Sequence, residues 1–133
     1  MPGPAPSDLA SLPLFGSLSD SELAEVAGWF EVREVGAGVR LAGEGATGYS
    51  FFVIDAGEVA VTAQGDELAT LRAGDFFGEV ALLGEGRRTA TVTTRTPSTM
   101  LVLFGLDFSR LRSRFPAIAA ELEAAMQQRL QRP

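Results

Sequence analysis

Residues 51–63 read FFVIDAGEVAVTA, two runs rich in β-branched, aromatic and other apolar residues, with Ala56 and Gly57 between them. Runs of this composition are typical of β-strands, and a glycine at the break between two of them indicates a turn. The stretch therefore predicts two strands joined by a tight connection.

The same texture continues on both sides of this stretch, from residue 31 to residue 104. Short strand-like runs recur at roughly ten-residue intervals with glycines at the breaks, a spacing that is typical of an all-β sandwich or roll. We predict eight strands, at residues 31–35, 39–42, 51–55, 58–63, 67–71, 76–77, 89–94 and 99–104.

Helical signals precede this β region. Prolines alternate with small residues over 1–7, which predicts a disordered lead, and a short helical turn is expected at 8–14. Ser19 and Glu22 have the spacing of a capping box, and the apolar residues behind them recur at helical intervals, so a helix is predicted over 20–29.

Helical periodicity returns after residue 104. Four apolar residues are predicted to form one helical face: Leu106, Phe108, Leu111 and Phe115. Pro116 then suits the first position of a second helix, where its missing N–H costs nothing. The apolar stripe of that helix is predicted to be Ile118, Leu122, Ala125, Met126 and Leu130. A chain of 133 residues has room for one such domain, which we place at 8–133 with helices at 8–30, a β-roll at 31–104 and helices at 105–133.

Composition excludes several kinds of chemistry. The chain contains no Cys and no His, and all eleven basic residues are Arg. Disulfides, thiolate nucleophiles, Cys/His zinc sites and imidazole acid–base steps are therefore excluded, as are Schiff bases and a P-loop lysine. An enzyme is not expected.

The net charge of −6 argues against direct binding of nucleic acid, which needs a basic face. The amino-terminal residues show neither a charged nor an apolar targeting segment, and no apolar run is long enough to span a membrane. We expect a cytoplasmic chain.

Residues 77–92, FGEVALLGEGRRTATV, interrupt the strand rhythm with one predicted helical turn that follows Gly78. A helix amino terminus presents free N–H groups, and a glycine lets an anion or a sugar approach them. The guanidinium of Arg88 is suited to two phosphate oxygens. Simpler interpretations stay open for each residue alone: Glu79 as a capping acid, Arg88 paired with Glu85 on the surface, and Thr89 as the start of a strand.

This segment resembles the phosphate-binding cassette of the cyclic nucleotide-binding domain family, and the resemblance extends over nearly the whole chain. It implies that Glu79 accepts a hydrogen bond from the ribose 2′-hydroxyl and that Arg88 pairs with the cyclic phosphate. Arg87, where the family often has Pro, would be a bystander. The other implied ligand-binding residues are Gly78, Val80, Ala81, Thr89 and Ala90, with Arg129 as a candidate stacking partner for the base.

The implied fold is mainly β with flanking helices: a double-stranded β-helix, or jelly-roll-like β-roll, with amino-terminal helices, a short cassette helix and carboxy-terminal helices. The implied function is a regulatory module that binds 3′,5′-cyclic AMP (cAMP) by first choice, or cyclic GMP (cGMP), without a metal. Occupancy would reach an unidentified effector domain or protein through the terminal helices. The alternative is a structural or interaction domain that keeps the β-roll without binding nucleotide.

Overall fold

The computed structural model describes residues 6–42, 50–79 and 90–130. The helices are α1 (Pro6–Ala10), α2 (Asp20–Ala27), α3 (Gly105–Arg114) and α4 (Pro116–Leu130), with a 3₁₀ turn at Pro13–Phe15. The strands are β1 (Glu31–Val35), β2 (Arg40–Ala42), β3 (Ser50–Ala56), β4 (Glu58–Ala63), β5 (Asp66–Arg72), β6 (Phe76–Phe77), β7 (Thr91–Thr94) and β8 (Ser98–Phe104). The prediction of strands flanked by helices is confirmed, with small differences at strand ends.

The strands form two antiparallel sheets of four. One has the order β1-β8-β3-β6 and the other β2-β7-β4-β5. In the first sheet β3 lies between β8 and β6, and Phe52 pairs with both Val102 and Phe77. Because β6 is paired to this central strand, the chain that follows it starts from a fixed place on the roll.

Two apolar cores explain why the 51–54 run is apolar throughout. Successive side chains of a strand point to opposite faces, and both faces of β3 are covered. Phe51 and Val53 belong to a cluster shared with the helices, the helix cluster. Phe52 and Ile54 belong to a second cluster between the sheets, the roll cluster.

The β3–β4 connection depends on Gly57. Its φ is +103°, a backbone conformation that residues with a side chain rarely adopt. A Cβ at this position would also collide with the side chain and Cα of Ser98. The glycine predicted to mark this turn is therefore required both by the backbone angle and by the closeness of β8.

The amino-terminal helices show one confirmation and two corrections. Ser19 caps α2, accepting from the Glu22 N–H while the Glu22 carboxylate accepts from the Ser19 N–H, as a capping box predicts. The single turn predicted at 8–14 is instead α1 followed by the 3₁₀ turn. Because α1 begins at Pro6, a residue tolerated in a first helical turn, the prediction of disorder is wrong for Pro6 and Ser7, and residues 1–5 lie outside the described ranges.

The carboxy-terminal helices pack mainly as expected. Phe108, Leu111 and Phe115 are buried in the helix cluster. Leu106 is 90% exposed, so its predicted place on the buried face of α3 is wrong. It lies two residues before the buried Phe108, and at 3.6 residues per turn this spacing places the two side chains on opposite sides of the helix.

Two arginines of α3 join this helix to the end of α2. The Arg110 guanidinium lies 5.0 Å from the ring centroid of Trp29. Arg114 donates to Glu25 over 2.5 Å, and this hydrogen bond lowers the pKa of the Glu25 carboxyl. We name these contacts of Arg110 and Arg114 the helix seam; it links the amino-terminal helices to the segment that leads into α4.

Candidate functional site

Glu79 is brought to the site by β6. Phe77, the last residue of β6, stacks on Phe52 of β3 with ring centroids 4.7 Å apart, which fixes the end of the strand in the roll cluster. Gly78 follows with a φ of +102°, and this left-handed residue turns the chain out of the sheet. Glu79 comes next, and its side chain is fully buried.

Arg129, fifty positions further along the chain, contacts this buried carboxylate. Its Nη1 donates to Oε1 of Glu79 over 2.5 Å and to Oε2 over 2.7 Å. A buried carboxylate costs several kcal/mol unless it is paired and hydrogen-bonded, so this contact explains how Glu79 is tolerated inside the fold.

Helix α4 carries Arg129 to the site. Ile118 and Leu122 in its first two turns are buried in the helix cluster, which fixes the start of the helix. Ala125 and Met126, further along, are partly exposed. At the end of α4 the Arg129 side chain is 21% exposed, so the helix reaches the buried Glu79 through a guanidinium that still touches solvent.

Phe76 is the third member of the site, and sequence reasoning missed it. Its carbonyl oxygen accepts from Nη2 of Arg129 over 2.8 Å, and its ring centroid lies 5.3 Å from the Arg129 Cζ. The available signal was the aromatic residue three positions before a carboxylate, but nothing in the sequence distinguished it from an ordinary core residue.

The structure places four of the predicted site residues. Gly78 and Glu79 stand together at the end of β6, and Arg129 meets Glu79 from α4. Ala90 lies just before β7 and packs against the roll cluster. Arg87, the predicted bystander, lies outside the described ranges, as do the remaining predicted site residues: Val80, Ala81, Arg88 and Thr89.

Arg129 was predicted from the sequence as a stacking partner for a base, not as the partner of Glu79. Both of its terminal nitrogens donate to protein acceptors, and one contact of its guanidinium is the Phe76 ring. Base stacking by Arg129 stays a prediction. The observed pairing gives this arginine a structural role, since it joins the carboxy-terminal helix to the predicted sugar-binding carboxylate.

The chemistry of this arrangement is that of a hydrogen-bonding site. A carboxylate offers about four acceptor positions, so one that is held by an arginine can still accept from a hydroxyl. Among the residues that the structure describes, no cluster of acidic side chains is arranged to hold a metal ion. Within the same ranges, no helix has the length and apolar character needed to cross a membrane.

A family model described as "Cyclic nucleotide-binding domain" matches residues 32–115, which run from β1 through α3 and include Glu79. The chain belongs to the cyclic nucleotide-binding domain family. Arg129 lies beyond the matched residues, so its contact with Glu79 comes from the structure alone.

Relatives of this domain are found in proteins of different kinds. The chain is 39% identical over 111 residues to a cyclic nucleotide-gated potassium channel of Rhizobium etli, a match covering 84% of this chain and 31% of the channel. It is 38% identical over 111 residues to cGMP-dependent protein kinase, isozyme 1, of Drosophila melanogaster, with 77% of this chain and 14% of the kinase covered. The chain thus spans a third or less of these relatives.

A solved structure confirms the β-roll. The match to cAMP-bound PfPKA-R has a TM-score of 0.85 at 24% sequence identity and covers 92% of this chain and 43% of that chain. The predicted mainly β architecture with flanking helices is therefore confirmed for this member of the family.

Proposed function

We propose that this cyclic nucleotide-binding domain is a regulatory module that binds one 3′,5′-cyclic nucleotide, with cAMP as the preferred ligand and cGMP as a weaker one. The observation that carries the proposal is the buried carboxylate of Glu79. This residue follows Gly78 directly, and its carboxylate accepts hydrogen bonds from Arg129. A carboxylate in this setting is suited to accept from a ribose hydroxyl, while Arg88 supplies the charge for the cyclic phosphate.

The choice between the two bases rests on Thr89. A threonine hydroxyl beside the phosphate ligand can accept from the guanine amino group, which favours measurable cGMP binding. One such hydrogen bond is worth about 0.5–1.5 kcal/mol, too little to exclude adenine. The relatives point both ways, since one is a cGMP-dependent kinase and another was solved with cAMP.

Calorimetric titration tests binding and base choice together. The parent chain and Thr89→Ala are each titrated with cAMP and with cGMP, and 5′-AMP serves as the ligand control without a cyclic phosphate. We expect one cAMP per chain, weaker cGMP binding, and a change in the cAMP-to-cGMP affinity ratio of about two- to tenfold in Thr89→Ala. An unchanged ratio would exclude base reading by the hydroxyl, and a parent that binds neither cyclic nucleotide would favour a structural or interaction domain.

We also propose that nucleotide occupancy is transmitted through α4 to an effector. The contacts of Arg129 with Phe76 and Glu79 tie the end of this helix to β6 and to the residue that accepts the ligand, so ligand at Glu79 and docking of α4 affect each other's free energy. Because the relatives are much longer than this chain, the effector is expected in another domain or another protein.

Amide hydrogen exchange measures this coupling. Exchange over residues 117–130 is compared with and without saturating cAMP, and residues 100–103 of β8, which are buried on both faces of the strand, serve as the internal reference. We expect slower exchange in the last turns of α4 when nucleotide is bound, because ligand and helix stabilise each other. Equal exchange in both states, in a chain that binds cAMP, would make the domain a binder without a moving helix.

A further inference from the structure

The Phe76 side chain is held independently of Arg129. Its ring lies 5.6 Å from the ring of Phe51 at an interplanar angle of 45°, and it packs against the helix cluster. The backbone at this position is fixed as well, because Phe76 pairs with Val53 of β3. The ring is therefore a rigid part of the roll rather than a mobile surface group.

Two different groups of Phe76 contact the same guanidinium. The carbonyl oxygen accepts from Nη2 of Arg129, which fixes that nitrogen along one direction. The ring centroid lies 5.3 Å from Cζ, within the range in which an aromatic face attracts a cation. With Nη1 on Glu79 and Nη2 on this carbonyl, the guanidinium can still tilt about the line that joins these two nitrogens, and the ring limits that tilt.

The orientation of the guanidinium decides how Glu79 is held. Nη1 donates to both carboxylate oxygens, at 2.5 Å and 2.7 Å, which keeps the carboxylate facing this nitrogen. Arginine loses much rotamer freedom when it is fixed, so the contacts that orient it before a ligand arrives reduce the entropy cost of binding.

We propose that Phe76 is a positioning residue for ribose recognition: its aromatic ring orients Arg129, and Arg129 in turn presents the Glu79 carboxylate to the 2′-hydroxyl. This inference rests on the proposed function, since it specifies how the same site reads the sugar. Its consequence is that the side chain at position 76 affects discrimination between ribose and deoxyribose without contacting the nucleotide.

The test is the affinity ratio between cAMP and 2′-deoxy-cAMP, measured by calorimetry for the parent and for Phe76→Leu. Leucine remains apolar but lacks the aromatic face. A hydrogen bond to a charged acceptor gives the parent a preference for cAMP of roughly tenfold or more. We expect Phe76→Leu to reduce that preference by about three- to tenfold, mainly through weaker cAMP binding.

Two variants separate positioning from loss of packing. Phe76→Tyr keeps the aromatic face and should keep the parent's ratio. Phe30→Leu thins the helix cluster at a ring that pairs with Phe15 rather than with Phe76, so it should lower thermal stability and leave the ratio unchanged. If Phe76 had a purely structural role, Phe76→Leu would lower the affinities for cAMP and for 2′-deoxy-cAMP by the same factor.

The outcomes distinguish this inference from the function on which it rests. A parent that binds neither nucleotide overturns both. If the parent prefers cAMP over 2′-deoxy-cAMP and Phe76→Leu shows the same preference as the parent, the positioning role alone is overturned. A loss of preference in Phe76→Leu that Phe76→Tyr does not show supports it.

Discussion

An Arg129→Ala variant is expected to unfold roughly 10 °C below the parent at neutral pH. The substitution leaves the fully buried Glu79 carboxylate without its arginine, and removing one partner of a buried ion pair costs about 3–5 kcal/mol. We take the lower end, about 3 kcal/mol, because Arg129 itself is partly exposed, and a domain of this size loses about 3–5 °C per kcal/mol. Differential scanning calorimetry gives the melting temperature directly.

A second arginine provides the matched control. Arg112 contacts Glu123 over 3.4 Å, and the two side chains are 36% and 59% exposed, so Arg112→Ala should cost about 1 kcal/mol or less. The double variant Glu79→Gln/Arg129→Ala should recover part of the lost stability, since it removes the buried charge. If the melting temperature of Arg129→Ala equals that of Arg112→Ala and of the parent, the buried pair contributes nothing to the stability of the fold.

Loss of nucleotide binding is expected for Arg88→Ala. The arginine is proposed to pair with the cyclic phosphate, and truncating one member of a desolvated charge pair costs about 2–5 kcal/mol, or roughly 30- to 5000-fold in affinity. The variant keeps the Glu79–Arg129 contact, so its melting temperature without ligand should stay near that of the parent. Calorimetric titration with cAMP measures the effect.

Arg87→Ala is the adjacent control, because it removes the same charge one position away. It should bind cAMP within about threefold of the parent, as expected for a residue beside the site rather than in it. A severe loss in Arg87→Ala with normal binding by Arg88→Ala would move the phosphate ligand by one residue. Normal binding by both variants would contradict the assignment of the cassette.

Strand positions could be predicted because local chemistry decides them. The glycine at 57 is required by a left-handed φ, and the uninterrupted run of 51–54 reflects burial on both faces of β3. The exposure of Leu106 follows from helix geometry, because it lies two residues before Phe108 and five before Leu111, and these intervals place it on the opposite side of the helix.

Two residues of the candidate site, Glu79 and Arg129, could be selected from the sequence, but their contact could not. Glu79 could be selected from the cassette pattern, since that pattern lies within one short segment. Its pairing with Arg129 joins positions fifty residues apart, and no periodicity in a single sequence specifies that distance in space. Phe76 was missed for a related reason: its ring contacts the helix cluster on one side and Arg129 on another, and sequence reports only the first.

The helix seam gives this domain a built-in optical reporter. Trp29 is the only tryptophan of the chain, so its emission comes from one known place. Emission from an indole under a guanidinium responds to displacement of the cation, and Arg110 belongs to the helix that leads directly into α4. A change in emission on adding nucleotide would therefore report movement of α3 against Trp29, in unlabelled protein and at the time resolution of stopped-flow mixing.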